Sequence, residues 1–285
     1  MPRPNLFIIG AAKCGTTSLH VALDAHRDIY MSELKAPGFF VPEFDYHPKD
    51  ERWYLELFAD GEGCRYVGES STHYSKRPYY EGVPGRLHEF SPDARILYLM
   101  RDPIDRAISH YWHNTRSIRP EFHESRTMLR AIREDPNYRH FGDYAMQLAP
   151  WLERFGDAVL PLVFEEMVAD PPATLERISG WLGLEREPPT GMEHRNRRGR
   201  KVRRPRSEIL SRFRHSPIWN ALAPLVPGKL RTLARRASIR EEAPPTLPDE
   251  SDAVREFLGP WASEKIMDLE RLLDREFSGW GSSHE

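Results

Sequence analysis

The sequence predicts an α/β fold in three layers, a central parallel sheet with helices on both faces. Three observations carry this. Residues 6–9, 94–100 and 158–164 are almost wholly apolar and of strand length, as strands covered on both faces must be. The segments between them carry apolar residues at helical spacing. The junctions are marked by glycines and by an Asp-Pro pair of the kind that starts helices.

Taken in order, Leu6-Phe7-Ile8-Ile9 ends at Gly10, and residues 17–25 then place Leu19, Ala22 and Leu23 on one helical face. Tyr66-Val67-Gly68-Glu69 and residues 94–100 read as further strands. At Arg101-Asp102-Pro103 a helix begins, with Asp102 able to cap it and Pro103 suited to its first position. Residues 158–164 form another buried strand, followed by a helix over about 172–182 that stops at Gly183. Strands that alternate with helices imply a parallel sheet. From about 205 to 250 the chain is rich in proline and reads as an irregular excursion with short helices. Helical periodicity returns over about 252–276 through Val254, Phe257, Leu258, Ile266 and Leu269.

Composition bounds the function. The 285 residues carry 41 Lys plus Arg against 43 Asp plus Glu, a formal charge of −2, which excludes a uniformly basic nucleic-acid binder. Hydrophobic content of 39% and aromatic content of 11% suffice for a packed core beneath a polar surface, with a mean hydropathy of −0.64. No apolar run approaches the ~20 residues of a membrane span. The N-terminal apolar run reads as a core strand and not as a signal peptide. Two cysteines, Cys14 and Cys64, make neither a disulfide framework nor a cysteine-rich zinc site, so the expected setting is reducing and cytoplasmic. The near-zero charge is a cancellation: residues 194–240 hold 15 basic side chains and one acidic, residues 241–285 hold 4 basic and 12 acidic. Only 7 of the 41 basic residues are lysines, a bias that suits gripping phosphates but that genomic base composition also produces.

Two segments carry chemistry. The first is Gly10-Ala11-Ala12-Lys13-Cys14-Gly15-Thr16-Thr17-Ser18, between a strand and a helix. Glycines allow a tight turn, helix-start N–H groups point outward, and a lysine and hydroxyls add charge and donors, which together make a cradle for an anion. It is not a Walker A loop, because Lys13 precedes the second glycine. The competing reading is an ordinary βα turn with a solvated lysine. The second segment, Leu99-Met100-Arg101-Asp102-Pro103-Ile104-Asp105-Arg106-Ala107-Ile108-Ser109, places Arg101 at the carboxyl end of a strand, where open α/β sheets bind ligands. Asp102, Asp105, Arg106 and Ser109 fall toward one helical face. An Arg and a Ser brought together hold a phosphate; the bland alternative is a capped helix with an Asp102–Arg106 surface ion pair.

Together these segments resemble the sulfotransferase superfamily that uses 3′-phosphoadenosine 5′-phosphosulfate (PAPS), with greatest similarity to its bacterial and heparan-type members. The likeness continues through Lys35-Ala36-Pro37-Gly38-Phe39-Phe40, Gly68-Glu69-Ser70-Ser71-Thr72-His73-Tyr74, Gly142-Asp143-Tyr144, Trp181-Leu182-Gly183-Leu184 and, more loosely, Arg198-Gly199-Arg200-Lys201. It covers nearly the whole chain as one domain, residues 1–285, and implies a P-loop-like version of the three-layer fold. It further implies an enzyme that moves a sulfuryl group from PAPS to a hydroxyl or amine of a small-molecule, glycan or carrier-bound acceptor, leaving 3′,5′-adenosine bisphosphate (PAP). Lys13, Cys14, Gly15, Thr16, Thr17 and Ser18 would hold the 5′-phosphosulfate, with Lys13 also stabilising the leaving oxygen. Arg101 and Ser109 would read the 3′-phosphate, and Arg198, Gly199 and Arg200 would close over the nucleotide. No metal is implied; His20, His26, His110 and His113 read as packing or helix-surface residues.

One departure stands out. Heparan-type relatives carry a glutamate as acceptor base in the Lys-Glu-Pro motif, and this chain has Ala36 there. Glu33, three residues earlier, and His73, beyond a strand end, are the candidates to replace it. Glu69 comes third and reads as a structural carboxylate; an acceptor that ionises easily or is activated by a carrier would need no base. Other functional readings are a P-loop small-molecule kinase, a non-catalytic 3′-phosphonucleotide-binding protein, and a nucleic-acid patch at residues 195–206.

Overall fold

A computed structural model of the chain describes residues 1–44, 47, 50–117, 122–185 and 247–281, and the backbone alone of 202–205 and 239–242. Five strands, β1 (Leu6–Gly10), β2 (Ile29–Met31), β3 (Tyr66–Ser70), β4 (Arg95–Met100) and β5 (Val159–Val163), form one sheet in the order β2-β3-β1-β4-β5. Every pairing is parallel. All residues of β1 and β3 are buried, because helices cover both faces. The expected three-layer fold with a central parallel sheet is therefore present.

The helices are α1 (Thr16–Asp24), α2 (Glu51–Glu56), α3 (Val83–Phe90), α4 (Pro103–Asn114), α5 (Met128–Glu134), α6 (Asn137–His140), α7 (Tyr144–Phe155), α8 (Phe164–Ala169), α9 (Pro171–Leu182) and α10 (Ser251–Leu273). Local chemistry sets their starts. Asp102 accepts from the N–H groups of Ile104 and Asp105 at 2.9 and 2.8 Å, and Pro103 occupies the first turn of α4. Asp143 and Asp170 cap α7 and α9 in the same way, and α9 stops at Gly183 in the left-handed conformation. The three-residue β2, Ile29-Tyr30-Met31, is too short an apolar run to read as a strand in the sequence; its partner β3, covered on its other side by β1, recruits it as an edge.

The C-terminal helix α10 returns to pack on α4, α5 and α7, so that Val254, Leu258 and Leu269 share one core with β1 and β4. In and beside the proline-rich stretch, which the sequence predicts to be an irregular excursion with short helices, residues 202–205 and 239–242 pair as an antiparallel two-stranded ribbon; residues 206–238 and 243–246, and the predicted Arg198, Gly199 and Arg200, lie outside the described residues.

Strand order also shapes the surface above the sheet. Leaving β1 the chain crosses toward β2, while from β4 it proceeds to β5 on the other side, so a crevice opens over the carboxyl ends of β1 and β4. The sheet has no slack on its β3 side: a Cβ on Gly68 would lie 2.3 Å from the Leu6 carbonyl oxygen. Gly68→Ala is expected to cost about 1–3 kcal/mol through strand displacement, read from urea denaturation; an unchanged midpoint would refute this close approach.

Candidate functional site

Gly15 opens α1 with a φ of 86°, and no side chain caps the helix. A Cβ there would collide with Phe164 and Met167 of α8 at 2.8 Å, so packing as well as backbone conformation demands glycine. Lys13 also adopts a left-handed φ of 75°. With no acidic residue in its first turn, α1 presents its positive dipole end to the crevice. Among the described residues none accepts from the backbone N–H groups of Gly15, Thr16 or Thr17. Thr16 is buried, Thr17 and Ser18 half-buried.

Cys14 differs from its neighbours. Its side chain is wholly buried, with Sγ 3.7 Å from the Tyr144 hydroxyl, and burial pushes its thiol up to about 11. It anchors the loop from beneath.

Arg101 leaves the end of β4. Its guanidinium donates to Asp105 at 3.3 Å and lies 5.0 Å over the Phe164 ring, while the Tyr144 hydroxyl donates to its carbonyl at 2.7 Å. Asp105 is shared with Arg255 of α10. Although burial pulls the other way, hydrogen bonds from Arg255 and Arg101 hold the Asp105 carboxyl below the usual range. Ser109 is half-buried one turn beyond Asp105 on α4.

The expected single polar face of α4 is split. Consecutive helical residues point about 100° apart, so Arg106 turns inward and is fully buried beside Tyr98, Tyr138 and Tyr144. It donates to the Tyr138 carbonyl. Asp102 is occupied by its capping bonds and by the N–H of Gly281 at 2.6 Å, so the alternative of an Asp102–Arg106 surface pair gives way to a buried arginine and an Arg101–Asp105–Arg255 cluster.

Positive charge accumulates around this crevice. Burial, with the charges of Arg101, Arg116 and Arg106, lowers Lys13 to about 8. Burial and the charge of Lys13 lower Lys35 to about 8; its ammonium donates to the Thr17 hydroxyl. Burial and Arg106 lower Lys76 to about 8. His113, although its edge reaches solvent, is pushed to about 4 by desolvation and by Lys13, Lys76 and Arg116. Among the described residues no carboxylate pairs with Lys13, Lys35 or Lys76. Such an arrangement is electrostatically suited to an anion.

The base candidates separate in space. Glu33 is exposed, and its charge is felt at Tyr30 together with those of Asp60 and Asp24. The loop bearing Ala36 is stapled across the end of β3: the Ala36 N–H donates to the Ser70 carbonyl and the Gly38 N–H to the Ser71 hydroxyl, each at 3.0 Å. His73 is brought to this loop, its ring 4.1 Å from that of Phe44. Glu69 is fully buried and accepts from the hydroxyls of Tyr54 and Tyr74; burial and the carboxylate push both phenols well above their usual range. That is a structural position.

Residues 33–188 match the profile of the Sulfotransferase family. The chain belongs to that family. A sulfotransferase from Alicyclobacillus acidocaldarius, at 27% identity and a TM-score of 0.71, covers 99% of this chain and 100% of its own. The mouse heparan sulfate glucosamine 3-O-sulfotransferase 3A1 is 31% identical over 191 residues, 64% of this chain and 46% of the relative. The human bifunctional heparan sulfate N-deacetylase/N-sulfotransferase 3 is 25% identical over 95% of this chain and 30% of its own length. The chain thus spans less than half the length of these curated relatives. The sulfotransferase likeness accounts for the three-layer fold.

Motif reading passed over Lys76, Arg116 and Arg255. Lys76 and Arg116 flank motifs without belonging to them, and Arg255 is remote in sequence. The fold brings three of the chain's seven lysines together here, which the sequence does not signal. No group of His, Cys, Asp and Glu among the described residues is arranged to hold a metal ion.

An anion favours the protonated lysines, so binding is full below about pH 8 and is lost as the lysines deprotonate above it. Sulfate is expected to raise Tm more than chloride at matched ionic strength near neutral pH, with the excess fading toward roughly pH 10. A pH-independent excess would rule out these lysines as the holders.

Proposed function

We propose that this chain is a PAPS-dependent sulfotransferase that transfers a sulfuryl group to a hydroxyl or amine of a small molecule or glycan. The observation that carries the reading is the convergence of Lys13, Lys35, Arg101 and Arg116 on the uncapped start of α1, at the carboxyl ends of β1 and β4. The donor set fits a nucleotide with an anion at each end: ammonium groups and helix N–H groups on one side, a guanidinium and a hydroxyl on the other. PAPS supplies a sulfuryl group whose sulfur is attacked by the acceptor as its S–O bond to phosphate breaks, leaving PAP.

In this reading Lys13 and the N–H groups at Gly15, Thr16 and Thr17 hold the phosphosulfate, with Thr17 and Ser18 adding hydroxyls. Lys13 neutralises charge on the leaving oxygen, and its depressed pKa lets it also pass a proton there. Lys35 fixes the Thr17 hydroxyl. Arg101 and Ser109 bind the 3′-phosphate, and Arg255 holds Asp105 so that Arg101 is not drawn into a bidentate pair with it. Arg198, Gly199 and Arg200 complete the nucleotide site as a further part of the proposal. His73 takes the acceptor's proton in place of a glutamate at position 36, favoured over Glu33 because Glu33 is exposed whereas the His73 ring packs on Phe44, further along the loop that carries Ala36.

The similar proteins are named for both O- and N-sulfation, which agrees with either acceptor atom. One domain over residues 1–285 belongs to the same reading. So does a cytoplasmic setting, in keeping with two free cysteines; no helix among the described residues is long and apolar enough to cross a membrane. The position of Ala36 also favours a second reading, a 3′-phosphonucleotide-binding protein without turnover.

Thermal stabilisation by PAP should exceed that by ADP, and Arg101→Ala should abolish the difference; equal shifts in the wild type would dismiss the 3′-phosphate site. With radiolabelled PAPS and a panel of hydroxylated and amino acceptors, Lys13→Ala is expected to cut turnover by about 10²–10³-fold, the usual worth of an oxyanion donor. His73→Ala should lower kcat while Glu33→Ala leaves it unchanged. Tight PAP binding without transfer to any acceptor would support the second reading.

A further inference from the structure

Tyr144 belongs to neither anion-holding segment, yet its hydroxyl touches both. It opens α7, whose start is set by Asp143 accepting from the Met146 N–H at 3.2 Å. The residue is only 2% exposed, its ring edge-on to Tyr98 at 6.1 Å and tilted against Trp280 at 5.9 Å. The pairing of β4 with β5 ends at Met100 opposite Val163, one residue short of Arg101. There the Tyr144 oxygen accepts from the Arg101 N–H at 3.2 Å, while its proton goes to the Arg101 carbonyl at 2.7 Å. One hydroxyl thus holds both main-chain groups of the arginine at the point where the sheet stops holding them.

The third contact follows from the bonding capacity of a phenol, which donates once and accepts twice. Its proton is on the Arg101 carbonyl, so at Cys14, 3.7 Å away, the thiol is the donor. Both groups keep the protons this requires: burial pushes the Cys14 thiol up to about 11 and the Tyr144 phenol well above its usual range. All three positions of the hydroxyl are therefore filled, two by Arg101 and one by the residue between Lys13 and Gly15. The Arg101 guanidinium has its own tether in Asp105 at 3.3 Å. Tyr144 accordingly acts on where the main chain of Arg101 stands, and Asp105 on where its charge points.

We propose that the Tyr144 hydroxyl is a positioning group that sets the spacing between the two anion sites, holding Arg101 in register with the Lys13 loop. The inference rests on the nucleotide reading and deepens it: selectivity for a 3′-phosphate comes from a fixed separation of two cationic ends as well as from Arg101 itself. A ligand anchored at both ends is sensitive to that separation at the level of roughly half an ångström. A hydroxyl that served the core alone would stabilise the fold, and its removal would weaken every nucleotide by the same factor. The three bonds of Tyr144 converge instead on the two segments that the ligand must bridge.

The test titrates the protein by calorimetry with PAP and with 5′-AMP, which differ only in the 3′-phosphate. Tyr144→Phe keeps the ring and removes the oxygen. It should lower the preference for PAP over AMP about tenfold, the order expected on losing a buried hydrogen-bonding group, with AMP affinity held within about twofold. Cys14→Ala leaves both Arg101 bonds in place and should remove part of the preference. Phe155→Leu, at the far end of α7, should lower Tm and leave the preference intact. Survival of the preference in Tyr144→Phe, an equal fall for PAP and AMP, or the same loss in Phe155→Leu would overturn the inference. If Tyr144→Phe does not fold, Cys14→Ala decides, since an unchanged preference there breaks the tie to the loop. Wild-type protein with no preference for PAP over AMP would instead overturn the 3′-phosphate reading, and this inference with it.

Discussion

Like charges held together at the ends of β1 and β4 are the constraint on which the rest of the structure turns. Lys13, Lys35 and Lys76 are each lowered to about 8, first by burial and then by neighbouring cations. A fold tolerates this only if its framework is rigid enough to keep the charges from dispersing. Parallel strands buried on both faces, four aspartate-capped helices and a returning C-terminal helix supply that rigidity. The destabilisation is stored where an anionic ligand can relieve it.

Arg106 shows how deep this arrangement reaches. Its guanidinium is fully buried among tyrosines, beneath the loop whose Cys14 touches the same Tyr144 hydroxyl that fastens Arg101. The loop, the end of β4 and the start of α7 therefore share a polar layer under the crevice. From the other side, Gly281 and Arg255 clasp Asp102 and Asp105. Both predicted anion-holding segments are thus positioned by residues more than forty positions away in the chain.

Much of this was legible from local pattern. The apolar run of β4, the Asp-Pro start of α4, the glycine-and-hydroxyl loop before α1 and the glycine stop of α9 are each decided by nearest neighbours in the chain, and each lies where the sequence placed it. The three-residue β2 was not legible, because an edge strand of that length exists through its partner. Nor was the inward turn of Arg106, since whether a charged helical residue meets water or core depends on what packs against that side.

The same division holds for the site. Sequence alone determined the fold class, the loop at Lys13 and the arginine at the end of β4, because turn chemistry, capping and strand burial act over a few residues. Tertiary structure decided the remainder: that Cys14 faces inward, that His73 packs against Phe44 while Glu33 stays exposed, and that Lys76, Arg116 and Arg255 join a crevice no motif assigns them to. Electrostatic fields add over distance in space without regard to distance along the chain, so a cluster of charges becomes visible only when the chain has folded.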